Sequence, residues 1–303
     1  MENNLREILN KNNIKFNKIT LKNTVKIIND NKNKLVIKKD TKNLDNTYNY
    51  LLSRSFDYFP RIVKKEKDYN IYEYIEDIEE PTEQRILDII TLLTILHSKT
   101  TFYKEIDIDN YKYLYETIND KLEYLYNYYT DVITIIEKSI YMSPSNYLIA
   151  RNINKIYQTI DYCKNELESW YELIKDKRKV RVVNIHNNLS LEHYLKSDKP
   201  YFISWNKNKI DMPIYDLLIL YKKYYLNFDF SELFNYYESR YPLTTEERKI
   251  LFVLMALPDK LDMSSDEYNL CIKCRKFFDY LYKTEKLITE YKSIKEQTIN
   301  DNN

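Results

Sequence analysis

Apolar and β-branched residues near the start of the chain alternate with polar ones in short bursts. Residues 24–28 and 34–38 read as two strands on either side of the polar run Asn29-Asp30-Asn31-Lys32-Asn33. Two further aromatic-rich stretches follow at 57–63 and 71–77, then a helical pattern at 89–100. From 109 to 176 apolar residues recur three and four apart, as at Tyr113, Leu114, Ile118, Leu122, Leu125 and Tyr126, which predicts helix. Ser143-Pro144-Ser145 breaks that helix once. Another β-branched run ends at His186. It leads to a hairpin-like pair, 191–195 and 201–205, joined by Ser197-Asp198-Lys199-Pro200. A helix opens after Pro213 with Asp216 in its first turn. Closing helices are expected at 229–241, 244–257 and 264–295, with a polar tail at 296–303 that should fray. Strand patterns near the start and again around 186–205, with helices between and after them, read as an α+β chain.

The segment 181–221 carries the chemistry. With its elements laid out as above, it resembles the catalytic block of aminoglycoside phosphotransferases, choline kinases and the spore-coat kinase-like proteins of the protein-kinase superfamily. Their pattern runs His-Gly-Asp-Leu-His-x-x-Asn, then Ile-Asp-Trp or Ile-Asp-Phe, then Asp-Leu opening a helix. In this chain the frame is kept, from His186 through Ile203-Ser204-Trp205 to Asp216-Leu217, but the chemical residues differ. The family's general-base aspartate falls on Asn188, its metal-binding asparagine on His193, and its magnesium-holding aspartate on Ser204. Asp216 matches the aspartate that holds the catalytic loop. Phosphoryl transfer rests on positioning, metal-borne charge and a carboxylate that orients the nucleophile. An amide accepts no proton near neutral pH, a hydroxyl is a weak ligand for magnesium, and imidazole suits zinc or copper better. Losing a positioned base alone costs roughly 10²–10⁴-fold in rate. Of the neighbouring carboxylates, Asp198 sits in the hairpin turn and Asp211 in a polar segment; only Glu192 is placed to replace a metal ligand.

The resemblance spans about residues 20–280 and is thinner outside that block. It implies a two-lobed protein-kinase-like fold, with a small β-rich lobe over 1–76 and a larger helical lobe over 77–295 that carries the degenerate loop at 186–193. Lys38 falls where the phosphate-pairing lysine of the third strand would be; by itself, a lysine at a strand end is equally a solvated residue. Asp45 is the nearest helical acid for it and stands early for that role. The stretch 71–77 is similar to the strand entering the hinge, whose backbone pairs with adenine in active relatives, which makes Glu73 and Ile75 cleft residues. The long helices of 109–176 correspond to the insertion on which small-molecule kinases build substrate-binding helices. The alternative is that they only cover the lower lobe.

Composition sharpens this picture. Glycine is absent, alanine occurs only at Ala150 and Ala256, and there are 32 tyrosines. Such a bias follows from AT-rich codons. Without glycine no phosphate cradle of bare backbone exists, neither a P-loop nor a Gly-rich kinase loop. Turns needing positive φ should fall to Asn and Asp. Weak or no binding of ATP and magnesium is expected, and no other cofactor. Lys and Arg number 47 against 46 Asp and Glu, a balance that argues against nucleic acid as a partner. No apolar run approaches the roughly 18 residues of a membrane span, and the first residues lack a signal peptide's apolar core, so a cytoplasmic protein is expected. Cys271 and Cys274 form a Cys-x-x-Cys inside a helical pattern without a second ligand pair, and read as buried helix cysteines. His97 and His186 read as packing or loop-holding residues.

Three functions stay open at this level. The first is a catalytically inactive kinase relative that binds or scaffolds a protein partner; in the spore-coat branch such proteins belong to a structural assembly. The second is an ATP-dependent phosphotransferase on a small hydroxylated substrate, with a rebuilt metal site. The third is a sensor that holds a small molecule without turnover.

Overall fold

The computed structural model describes residues 18–22, 25–29, 34–39, 43–65, 69–105 and 108–300. The protein is mixed α+β, with a small β-sheet N-terminal lobe and a mostly helical C-terminal part. Its contacts divide it into two compact units: residues 1–100 with 184–210, and residues 101–183 with 211–303.

The first unit is built on an antiparallel five-stranded sheet. Its strands are β1 (Lys18–Lys22), β2 (Val25–Asn29), β3 (Lys34–Lys39), β4 (Ile62–Lys65) and β5 (Tyr69–Glu73), in the order β1-β2-β3-β5-β4. Ile28 faces Leu35 and Ile37 faces Ile71 in the ladders. With Ile28, Ile37 and Ile71 fully buried and Ile19, Leu35 and Tyr69 packed on them, the alternating pattern seals one face. The strands expected at 24–28 and 34–38 are thus present within a residue, whereas β1 is too polar to have been anticipated. Residues 30–33 of the expected turn lie outside the described residues. β4 carries a bulge between Ile62 and Lys64.

Helix α1 (Asp45–Ser53) ends in a Schellman arrangement: Ser55 N–H donates to the Leu52 carbonyl and Phe56 N–H to that of Leu51, both at 2.9 Å. Helix α2 (Thr82–Thr100) begins two turns before the apolar pattern does. The expected hairpin is shorter than its sequence suggests. β7 (Lys179–Ile185) leads into the loop. Residues 191–193 then wind into a 3-10 turn, so only β8 (Tyr194–Lys196) and β9 (Pro200–Phe202) pair. Another 3-10 turn covers 205–207, before β10 (Lys209–Asp211).

The second unit pairs β6 (Phe102–Glu105) with the start of β7, Phe102 facing Val182. Its helices are α3 (Ile108–Glu137), α4 (Pro144–Ile174), α5 (Ile214–Tyr224), α6 (Phe230–Glu238), α7 (Thr245–Ala256) and α8 (Glu267–Asn300). The break at Ser143-Pro144 is where α4 starts, with the Ser143 hydroxyl accepting from Asn146 N–H and proline in the first turn. Thr244 and Glu247 form a reciprocal capping box on α7. The backbone of 296–300 continues α8 instead of fraying; 301–303 lie outside the described residues. Cys163 and Cys274 are buried free thiols, pushed up by burial to about 12 and about 11, whereas Cys271, expected to be buried with Cys274, is only partly so. No helix among the described residues is long and apolar enough to cross a membrane.

Three described residues adopt positive φ: Ser55 (57°), Asn187 (56°) and Ser204 (67°). Two of the three are serines, against the expectation of Asn and Asp. Tertiary bonds fix them there. The Ser55 carbonyl accepts from Lys99, and that of Ser204 accepts from the Asn188 amide at 3.3 Å. Asn187 stands where the family pattern has glycine.

Candidate functional site

Within the first unit, a cavity of about 570 Å³ opens over the sheet. Val25, Ile27, Val36 and Tyr72 form its apolar wall; Lys38, Glu192, His193, Ser204 and Asn206 form a polar end. Glu73 and Ile75 also line it. Lys38, Glu73, Ile75, His193 and Ser204 all line this one space.

At the polar end Lys38 Nζ lies 3.5 Å from Ser204 Oγ and 3.4 Å from Asn206 Oδ1. Asn188 Nδ2 donates to the Ser204 carbonyl at 3.3 Å, and His193 Nδ1 donates to the Asn188 carbonyl at 2.6 Å. Ile203 N–H returns a bond to the His193 carbonyl at 2.9 Å. The amide at 188 and the imidazole at 193 thus brace the loop and its left-handed Ser204. Glu73 is spent locally, its carboxylate accepting the Arg61 N–H at 2.9 Å. Asp45, the sequence's acidic candidate for Lys38, pairs with Lys65 instead.

His186 stands behind the site. It is fully buried and meets the Trp205 ring edge-on at 4.7 Å; its Nε2 donates to the Ile203 carbonyl at 2.9 Å. Trp205, also fully buried, packs on Phe56 and Phe59 and donates to the Phe202 carbonyl at 2.8 Å. This aromatic block fixes where the 203–206 backbone passes. Asp216 belongs to the other unit, buried in the first turn of α5.

A charged network along the cavity's far side was missed in the sequence. Arg85 on α2 forks onto Asp77 at 3.0 and 3.1 Å and reaches the Tyr194 carbonyl at 3.0 Å. Asp77 also accepts the Lys196 N–H at 2.8 Å, and Ile78 N–H donates to the Lys196 carbonyl at 2.8 Å. These bonds fasten the strand-exit segment 77–78 to the hairpin. Asp88 takes bonds from Lys196, Gln84 and Tyr194. Burial pushes its carboxyl up, but those bonds prevail and hold it below the usual carboxylate range. Beside it, burial and the Asp88 charge push Glu80 up. The only local signal for this network is charged residues in the first turns of a helix, which any surface helix shares. Asn206 was also missed, although it stands two residues from Ser204.

No protein-family model matches the sequence, and no curated protein matches it. Solved structures do match the fold. An aminoglycoside phosphotransferase from Alicyclobacillus acidocaldarius superposes with a TM-score of 0.69 at 10% identity, covering 93% of each chain. The fold is that of this kinase-like enzyme. A spectinomycin phosphotransferase solved with ADP and spectinomycin gives 0.51 at 14% identity, covering 97% of this chain and 93% of its own. At such identities the likeness is one of fold alone.

The kinase-like fold brings with it the question of a magnesium ion. Magnesium needs near-octahedral oxygen ligands, with one or two carboxylates as a rule. The donors at 188, 193 and 204 are an amide, an imidazole and a hydroxyl, and the Lys38 ammonium stands over the Ser204 and Asn206 oxygens. Those three do not fit magnesium, and Glu192, the one carboxylate of the polar end, is exposed. Among the described residues, no three or more His, Cys, Asp and Glu side chains converge where they could hold a metal ion.

Proposed function

We propose that this chain is a catalytically inactive kinase-like protein that works by binding, as a scaffold or recognition component with a protein partner. One observation carries the reading: the Lys38 ammonium faces Ser204 Oγ and Asn206 Oδ1, neutral groups where a phosphotransferase needs a metal-holding carboxylate. Asn188 supports it, because its amide is engaged with the Ser204 carbonyl and has no basicity to lend a hydroxyl nucleophile. For a protein partner, the α3–α4 turn offers an apolar handle, with Ile140 90% and Tyr141 89% exposed.

The test is turnover. Purified protein, ATP and Mg²⁺ are incubated with a panel of hydroxylated small molecules, aminoglycosides and choline among them, and ADP release is followed. The expected result is release no faster than from heat-denatured protein with every acceptor. Acceptor-dependent release that disappears in the Lys38→Met variant would establish the rival reading, a phosphotransferase with a rebuilt site.

A further inference from the structure

The turn between α3 and α4 exposes three apolar residues in a row, Ile140, Tyr141 and Met142. A run of that length on a surface serves no purpose in folding and marks a contact. We infer that this turn docks a second copy of the chain in a two-fold contact. The inference rests on the reading of the chain as a binding protein and names the partner that its apolar handle takes.

The turn is held at both ends, so docking costs little ordering. Ser139 N–H donates to the Ile136 carbonyl and the Ser139 hydroxyl to the Ile135 carbonyl, both at 3.1 Å, which closes the end of α3. At the start of α4, Glu267 from the first turn of α8 accepts the Ser145 N–H at 2.6 Å and the Ser145 hydroxyl at 2.9 Å. Those bonds bring the exposed Tyr268 to the same end as the exposed Tyr147. A large side chain carries about 150–250 Å², so Ile140, Tyr141, Met142, Tyr147 and Tyr268 present roughly 700 Å² per copy, close to the about 800 Å² that each partner buries in a standard contact.

Charge decides what covers the patch. The exposed charges around it come in opposite pairs: Glu137 beside Lys138 at the end of α3, and Asp131 on α3 with Arg151 on α4, one turn back from Ile135 and Tyr147. Asp266 and Glu267 are occupied, by Asn269 and Ser145. A rim of balanced charge gives no hold on an anionic membrane, which needs an excess of Lys and Arg, nor on a partner of one strong sign. It suits its own copy. In a two-fold contact a bond from one residue to another is repeated in reverse. Setting Glu137 of one copy against Lys138 of the other therefore makes two ion pairs at the rim of an apolar, tyrosine-rich centre.

Analytical ultracentrifugation of the full chain, from low to high micromolar concentration, tests the inference. A reversible, concentration-dependent doubling of mass is expected. Ile140→Asp combined with Tyr141→Asp should weaken the association at least tenfold, with the melting point at low concentration as the check on folding. The rim charges supply a test that misfolding cannot imitate. Glu137→Lys and Lys138→Glu should each weaken self-association several-fold, because like charges then meet. An equimolar mixture of the two variants should restore it, because each charge again meets its opposite. A monomer at every concentration, a dimer that survives both aspartates, or a mixture no more associated than its components overturns the inference. So does a monomer that co-sediments with phosphatidylcholine vesicles through Ile140 and Tyr141. None of these results touches the inactive reading; ADP release from ATP would overturn that reading and leave the dimer standing.

Discussion

Replacing Arg181 with methionine should be among the most damaging single changes in the helical unit. Arg181 on β7 donates through Nε to Glu247 Oε1 at 3.0 Å and through Nη2 to Glu247 Oε2. Nη2 also reaches the Pro242 carbonyl at 2.8 Å, and the guanidinium lies 4.5 Å from the centre of the Tyr241 ring. Its partner Glu247 is 1% exposed and also accepts the Thr244 N–H at 2.9 Å in the capping box. Arg181→Met strands that carboxylate in the interior, which typically costs about 3–5 kcal/mol. Glu247→Gln in the same chain removes the stranded charge and keeps a side chain that can complete the capping box. The double variant should then lose only the hydrogen bonds, about 1–2 kcal/mol. Urea midpoints followed by far-UV circular dichroism should therefore show the double variant more stable than Arg181→Met alone by roughly 1–4 kcal/mol. The reasoning fails if Arg181→Met costs less than about 1 kcal/mol, or if the double variant is no more stable than Arg181→Met alone.

Two further outcomes follow from the structure. Ser55→Gly should raise stability by roughly 0.5–1 kcal/mol, because Ser55 sits at φ 57° in the Schellman position, where a side chain costs energy that glycine avoids; thermal melting checks it, and a lower melting point would contradict it. For Glu166, burial pushes the carboxyl up, but bonds from Lys249 and Lys292, both at 2.8 Å, outweigh it and hold it below the ordinary range. A depressed carboxyl contributes stability that is fully present above its unfolded value, near about 4.3, and lost as pH falls through the lower folded value. Glu166→Gln should thus destabilise at neutral pH and flatten the acid limb below about pH 4 in a denaturation series; an unchanged acid limb would count against the assignment.

How much of the site was legible in the sequence differs from residue to residue. Lys38, Glu73, Ile75, His193 and Ser204 were singled out because a motif frame indexes positions. The same frame could not say what Lys38 touches. Asn206 and Arg85 were invisible to it, since their importance lies in partners far off in the chain. That α2 and residues 184–210 group with the sheet in one compact unit is a matter of packing, which the order of elements along the sequence does not record.

Local pattern alone determined the β2 and β3 strands, the α3–α4 break at Ser143-Pro144 and the capping box at Thr244. In each, the signal and the structure it specifies lie within a few residues, so periodicity, proline and cap chemistry suffice. The absence of glycine was equally plain, and with it the lack of a bare-backbone phosphate cradle. Which residues take positive φ was decided by the fold, because bonds from Lys99 and Asn188 hold two serines there. The meeting of Lys38 with Ser204 was decided there too, across 166 positions of chain. A contact of that span depends on how sheet, aromatic block and loop pack together, and no short window of sequence records it.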